Sequence, residues 1–303
     1  MKRKFHDRLK KNTKPPANRN ITGMAFNSID LESSFKRIHS KKEKLFLGFF
    51  SRSNIHDMIK QVNLISHLEC IGFNDITVAI DIDDNDIHNL KLYHKKIDPD
   101  NMLLDLRVSE SKFLPEPRFY EDGKHVAYDM IVIEWLSAQD PIHEFSGDKP
   151  QLPGQKRPGL GILSYCFEIM RIMAREVNKD GFMDVPDHIH WAIMYAKNFK
   201  FFDPAHEGVL HALMRDLKDY SLSDISWGIL TLSIIEAYNN QPQTYDPSEQ
   251  IFYLSDRLRS YFHSGEYKKI FNKYYKRKHF RFEYEEMLQK KKKILESKNI
   301  DEL

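Results

Sequence analysis

The spacing of apolar residues predicts an alternation of strands and helices that begins near residue 45. Leu45 to Phe50 is a short apolar run typical of a buried strand, and Ser51 after it is a suitable helix N-cap. Apolar residues then recur at helical spacing from Ile55 to Cys70, and Gly72 is a natural helix stop. We therefore expect a strand followed by a helix.

Three more strands are predicted before the next helix. Ile76 to Ile82 and Met102 to Val108 alternate apolar and polar residues, as half-buried strands do. Tyr128 to Leu136 is almost entirely apolar, which predicts a central strand covered on both faces. A helix with an apolar stripe from Ile162 to Val177 follows and should end at Asp180-Gly181, before a short strand and an aromatic helix.

From Asp203 onward the pattern is helical throughout. Asp203-Pro204 and Asp246-Pro247 each place a capping carboxylate before a proline suited to a first helical turn. The segment Asn239 to Asp246 should link two helices, and the last helix should run from about Glu266 to Ser297. The fold class is α+β, with a mixed sheet, helices on both of its faces and a helical C-terminal extension.

Composition and charge divide the chain further. Of 303 residues, 41% are apolar and 30% charged, as in soluble globular proteins, and no apolar run is long enough for a membrane helix. Residues 1–20 carry eight Lys/Arg against one acidic residue, and residues 266–303 carry twelve against seven. We predict a disordered basic arm at 1–20, an α/β domain at 21–202 and a helical extension at 203–303.

Basic termini could contact nucleic acid or an acidic surface, but solvated tails that keep the protein soluble are the favoured explanation. The rest of the chain is net acidic, which argues against nucleic acid as the main partner. Two cysteines in predicted helices do not form a disulfide framework, and no apolar segment follows the charged N-terminus. We expect a cytoplasmic protein with no membrane contact.

A turn rich in Pro and Gly, Leu152-Pro153-Gly154-Gln155-Lys156-Arg157-Pro158-Gly159-Leu160-Gly161, precedes the helix that starts near Ile162. Glycines at a helix start let phosphates approach backbone N–H groups, where the helix dipole favours an anion. The alternative is a turn that needs glycine only for backbone conformation and close packing. The candidate phosphate-binding residues are Gln155, Lys156, Arg157, Gly159, Leu160 and Gly161.

This turn and the order of elements resemble the GNAT acyltransferase superfamily over about Lys44 to Phe202. In that family a turn of the form Gln/Arg-x-x-Gly-x-Gly/Ala joins the fourth strand to a helix and holds acyl-coenzyme A; here Lys156 to Gly161 stands in its place. The turn is also similar to an uncharacterised bacterial family that shares Leu-Pro-Gly-Gln-x-x-Pro-Gly-Leu-Gly. The resemblance implies a GNAT-like sheet and transfer of an acyl group from acyl-coenzyme A to an amine.

The resemblance also implies roles for two residues: Tyr195 would protonate the departing thiolate, and Glu134 would be the candidate base. The sequence departs from the family's pattern, since Pro158 lacks an amide, His188 stands where the family has Asn, and residues 139–154 separate the strand from the turn. A degenerate version that binds acyl-coenzyme A without turnover fits these departures as well.

Without the resemblance, the same residues have structural explanations. Glu134 in an apolar strand would have a raised pKa suited to a base, or it would pair with Arg107. Tyr195 among aromatic residues would belong to the core.

A polar cluster follows the short strand predicted before the aromatic helix. Its members are Asp184, Asp187, His188 and His190. The two histidines would share a metal in a hydrolase, or His188 would act as a base; alternatively Asp187 simply caps the next helix. A non-enzymatic binding or assembly module, contacting nucleic acid or a protein through its basic termini, is the remaining hypothesis.

Overall fold

The computed structural model describes residues 45–119 and 126–297, so the arm predicted at 1–20 lies outside the described residues. Within them the protein is α+β, with a mixed seven-stranded sheet and helices packed on both faces. The predicted fold class is confirmed. Among these residues, no helix is both long and apolar enough to cross a bilayer.

Two helices and then four strands form the first half of the described chain, and helices and strands mix in the second half. The described helices are α1 (Arg52–Gln61), α2 (Leu64–Cys70), α3 (Leu163–Val177), α4 (Ile189–Tyr195), α5 (Pro204–Asp216), α6 (Leu222–Leu230), α7 (Asp256–His263), α8 (Gly265–Arg277) and α9 (Tyr284–Glu296). The described strands are β1 (Ile76–Ile82), β2 (His88–His94), β3 (Met102–Phe113), β4 (Tyr128–Ala138), β5 (Gly181–Asp184), β6 (Lys200–Phe201), β7 (Ile234–Glu236), β8 (Gln241–Pro242), β9 (Gln250–Tyr253) and β10 (Phe280–Phe282).

The main sheet has the strand order β1-β2-β3-β4-β5-β9-β6. Strands β1 to β4 form an antiparallel meander, and β5 is parallel to β4 because α3 carries the chain back across the sheet. Strand β9 lies between β5 and β6, antiparallel to both. A second, three-stranded sheet has the order β10-β7-β8.

Strand β4 is central, as predicted, and its side chains alternate between two cores. Ile131 and Ile133 pack in the core that contains α1, α2 and α3. Met130 and Val132 pack in the core that contains α7 and the start of α8. All four are at most 4% exposed, so the run of apolar residues in the sequence reflects burial on both faces.

The predicted strand at Leu45 to Phe50 is wrong. This segment is a tight turn in which Phe46 and Phe50 form a single bridge, because Leu47 and Gly48 both have positive φ. The strand β2 was not predicted, since its polar positions include His88, Asn89 and Lys91.

Two predicted helix ends also differ. Asn63 adopts the left-handed conformation and divides the helix predicted at Ile55 to Cys70 into α1 and α2. Helix α3 ends at the left-handed Asn178 rather than at Asp180-Gly181. Gly181 instead lies inside β5, where a Cβ atom would stand 2.4 Å from the carbonyl oxygen of Phe252 on β9.

The C-terminal third is not helical throughout, which corrects the sequence-based prediction. Asp203 caps α5 through Oδ1, which accepts from the amide of Ala205 at 2.7 Å. Asp246-Pro247 begins no helix and leads into β9. The helix predicted at Glu266 to Ser297 is interrupted by β10, which pairs with β7.

Candidate functional site

Strands β4 and β5 are hydrogen-bonded to each other only over the first part of β4. They pair only from Met130 to Val132, opposite Gly181 to Met183. After Val132, β4 pairs with β3 alone among the described strands. The register of β4 with β3 shifts here, so that no residue of β3 stands opposite Glu134. Such a β-bulge bends a strand and increases its local twist. Strand β5 ends at Asp184, one residue after the last pair, so β4 continues to Ala138 beyond the carboxyl end of its parallel neighbour. The carboxyl ends of parallel strands are where open α/β sheets commonly bind ligands.

The Pro/Gly turn lies at the end of β4, although residues 139–154 stand between them in the sequence. The chain leaves β4 after Ala138 and returns so that Gln139 and Gly159 form an antiparallel bridge. The amide of Asp140 donates to the carbonyl of Pro158 at 2.8 Å. Residues 139–157 are therefore an excursion that places the turn directly at the end of the strand.

The turn is partly occupied by its own hydrogen bonds. The amide of Leu160 donates to the carbonyl of Ala138 at 3.4 Å, so this predicted phosphate donor is already used. Gln155 is satisfied within the loop, since its side chain accepts from the amide of Leu152 and its carbonyl accepts from the side chain of Gln151. The predicted roles of Leu160 and Gln155 lose support, because their donors or acceptors have partners.

Gly161, Lys156 and Arg157 lie on the outer surface of the same turn. Gly161 has φ +71°, a conformation that suits glycine, and no atom lies within 4 Å of the position its Cβ would take. Lys156 and Arg157 are exposed, and the closest carboxylate oxygen to Arg157, on Glu144, is 4.0 Å away. An anion at the turn would therefore meet two basic side chains.

Helix α3 begins immediately after the turn. Its N-cap is Ile162, and no side chain accepts from the amides of its first turn. Ser164 in that turn is exposed, and the turn contains no acidic residue. Ile162 is itself buried, but Gly161 and Ser164 on either side of it are exposed. This end of a 15-residue helix without a side-chain cap therefore presents N–H groups and a positive partial charge.

The candidate base Glu134 lies at the bulge and is partly exposed. Its Oε1 accepts a hydrogen bond of 2.6 Å from the Ser109 hydroxyl on β3. The alternative pairing with Arg107 is wrong, because Arg107 donates to the buried Asp105 at 2.5 Å. The partner of Glu134 is therefore a neutral hydroxyl rather than the positive charge of Arg107.

The candidate acid Tyr195 is 1% exposed at the end of α4. Its ring stacks on Phe199 and meets Phe167 edge-to-face, and all three belong to the core, which confirms the structural explanation given for Tyr195. Burial and then the charge and hydrogen bonding of Asp184, at the end of β5, raise the pKa of Tyr195 well above its usual range. The hydroxyl remains protonated at neutral pH and donates towards the carboxyl end of β5.

His188 and His190 come together at the start of α4. His188 is the N-cap residue, which makes the predicted cap at Asp187 wrong. The two rings stack with centroids 5.2 Å apart and planes within 12°. A shared metal needs in-plane lone pairs that converge, and stacked rings do not provide this. In the described part of the chain, no group of three or more His, Cys, Asp or Glu side chains is arranged to hold a metal ion.

A cavity of about 220 Å³ opens beside these histidines. Helix α4 forms one wall, α6 forms another, and Pro153 from the loop that leads to the turn contributes to the lining. The loop is held against α6, since Trp227 Nε1 and the Ser223 hydroxyl both donate to the carbonyl of Gln151. The cavity therefore lies beside the loop that leads to the turn, and Tyr195 is not among its lining residues.

Comparisons of the chain with protein-family models, with curated proteins and with solved structures find no match.

Two residues at this edge were only partly evident from the sequence. Asp184 was noted in a polar cluster, but its link to Tyr195 depends on α4 folding back onto β5. Tyr245 lines the cavity and donates to the carbonyl of Pro186 at 2.9 Å. It belongs to a polar segment without periodicity, so the sequence carries no signal for its position.

Proposed function

We propose that the protein binds acyl-coenzyme A and transfers its acyl group to an amine. The observation that supports this function is that β4 is not paired with β5 after Val132, and that the turn and the N-terminus of α3 follow at the end of β4. Beyond Val132, β4 has no β5 partner for its backbone groups, and an extended chain containing amides can pair with such an edge. The pantetheine arm of coenzyme A is such a chain.

The pyrophosphate of coenzyme A would lie at the start of α3. Backbone N–H groups and the helix dipole favour an anion there, and Lys156 and Arg157 add positive charge. With the amide of Leu160 already occupied, the amides at Gly161 and in the first turn of α3 are the better donors. The proposed position of the anion is therefore at Gly161 and the first turn of α3, closer to the helix than the turn residues that the sequence indicated.

The transfer requires one proton to leave the amine and one to reach the departing sulfur. The amine nitrogen attacks the thioester carbonyl, the C–S bond breaks, and the thiolate takes a proton. Tyr195 is protonated at neutral pH and donates to Asp184, so it would have to release this hydrogen bond and become accessible to give its proton to the sulfur. Glu134, at the bulge beside the separated strands, is the candidate acceptor of the amine proton.

Titration with coenzyme A tests binding separately from turnover. Isothermal calorimetry should detect binding of coenzyme A and acetyl-coenzyme A, and much weaker binding of pantetheine, which lacks the pyrophosphate. A concentration of 100 Kd should stabilise the fold by about 2.7 kcal/mol. Binding with no thiol release across a panel of amines would identify the degenerate version, and no binding at millimolar coenzyme A would refute the proposal.

One observation favours the alternative, a module that docks on an anionic partner through its C-terminal region. Helix α8 exposes five basic side chains and one acidic one, Glu266. The basic residues are Lys268, Lys269, Lys273, Lys276 and Arg277. Fluorescence anisotropy with labelled duplex DNA should then show binding that weakens steeply with salt and is lost in Lys269→Glu/Lys273→Glu.

A further inference from the structure

The cavity beside α4 is lined by both apolar and polar side chains. Ile189 from α4 and Ile229 and Leu230 from α6 form much of the apolar lining. Its volume of about 220 Å³ is well above the ~10–15 Å³ that a single water molecule needs. A small organic molecule with an apolar body fits this shape better than a nucleotide or a peptide does.

His190 lines the cavity and has an unsatisfied polar atom. The side chain is 1% exposed, and its Nδ1 atom has no hydrogen-bond partner among residues 45–119 and 126–297. Burial, and then the charge of His188, lower the pKa of His190 to about 3, so the ring is neutral at physiological pH. A buried polar atom without a partner costs free energy, which a ligand that supplies one would recover.

The electrostatic environment at the mouth is negative. Burial raises the pKa of Tyr245, which lines the cavity, and the carboxylates of Asp184, Asp187 and Asp246 raise it further. Three carboxylates therefore act on one hydroxyl at the edge of the cavity. The lining residues include Asp187 and no Lys or Arg, so a cation is favoured there over an anion.

We propose that this cavity binds a small organic cation, with its ammonium group near Asp187, its apolar body between Ile189 and Ile229, and a polar contact to His190 Nδ1. The proposal does not rest on the transferase function, because the cavity is complete without a thioester. If both proposals hold, the ligand of this cavity is the acceptor amine.

Phenethylammonium is a suitable probe, and 2-phenylethanol and 3-phenylpropionate are its neutral and anionic counterparts. Calorimetry without coenzyme A should give phenethylammonium a Kd at least tenfold lower than 2-phenylethanol, with no detectable binding of 3-phenylpropionate. Asp187→Asn should weaken phenethylammonium to the level of the alcohol. Asp219→Asn, which removes an exposed carboxylate that does not line the cavity, is the matched control and should bind like the wild type.

Two further variants separate recognition from folding. His190→Leu removes the unsatisfied atom, so it should keep or raise the melting temperature while weakening phenethylammonium at least tenfold. Thr244→Trp places a large ring at the exposed rim and should block binding without altering the core. Equal binding of the alcohol and the ammonium compound, wild-type affinity in Asp187→Asn and His190→Leu, or no binding at all would overturn the proposal. None of these results depends on coenzyme A binding.

Discussion

A carboxylate introduced at Ser164 should separate the stability of α3 from its capacity to bind an anion. Ser164 is exposed in the first turn of α3, where no side chain caps the helix and no acidic residue is present. Ser164→Asp adds a negative charge at the positive end of the helix dipole. This should raise the free energy of unfolding by ~0.3–1 kcal/mol.

The same charge should repel a bound pyrophosphate. At a separation of roughly 5 Å and an effective dielectric constant between about 20 and 80, the repulsion per unit charge is about 1–3 kcal/mol. The Kd for coenzyme A should therefore rise by roughly five- to 150-fold. The difference should shrink at high salt, because exposed charges are screened.

Calorimetry with coenzyme A and urea denaturation measure the two effects on the same protein. Ser66→Asp is a matched control, since Ser66 is exposed in the first turn of α2, which also lacks a side-chain cap and an acidic residue. It should add stability and leave coenzyme A binding unchanged. If Ser164→Asp becomes more stable but binds coenzyme A as tightly as the wild type, the anion does not lie at α3.

Three further predictions concern other parts of the molecule. Tyr195→Phe should keep coenzyme A binding while lowering kcat by ~10²–10⁴-fold, measured as thiol release. Burial would raise the pKa of Asp180, but hydrogen bonds from Ser255, a backbone amide and Arg257 outweigh it and lower the pKa. The resulting stabilisation is present above about pH 4 and is lost as pH falls through the folded pKa. Asp180→Asn should therefore lower the free energy of unfolding at pH 7 by about 1–2 kcal/mol, measured by urea denaturation. Solvent around the partly exposed Arg257 reduces this effect, and in acid the loss should be much smaller. Because burial raises the pKa of Cys166 to about 12, a thiol reagent should modify exposed Cys70 alone in the native protein and both cysteines in urea.

The sequence predicted those parts of the fold whose patterns are local. Ser51 caps α1 with its side chain, Asp203 caps α5, and the apolar run at Tyr128 to Leu136 is the central strand. Strand β2 escaped prediction because its burial comes from β1 and β3 on either side rather than from its own alternation. The strands of the C-terminal third are short, between two and four residues, and pair with distant partners.

For the site, the sequence located the turn but not its hydrogen bonds. That Leu160 donates to Ala138 depends on the loop returning to β4 after an excursion, which no local pattern encodes. The bulge at Glu134 is likewise a property of the register between two strands. The role of Tyr195 follows from the resemblance and that of His188 from the polar cluster, and both stay predictions.

The position of strand β9 in the sheet limits where the chain can be truncated and when it can fold. It is supplied by residues 250–253, yet it separates β5 from β6 in the sheet. A fragment ending at residue 202, the boundary expected from the sequence, would leave the outer edge of β5 without its neighbour, and such bare edges promote aggregation. On the ribosome, the sheet beside β5 cannot be completed until about fifty more residues have been added, so we expect nascent chains stalled before residue 250 to need a chaperone.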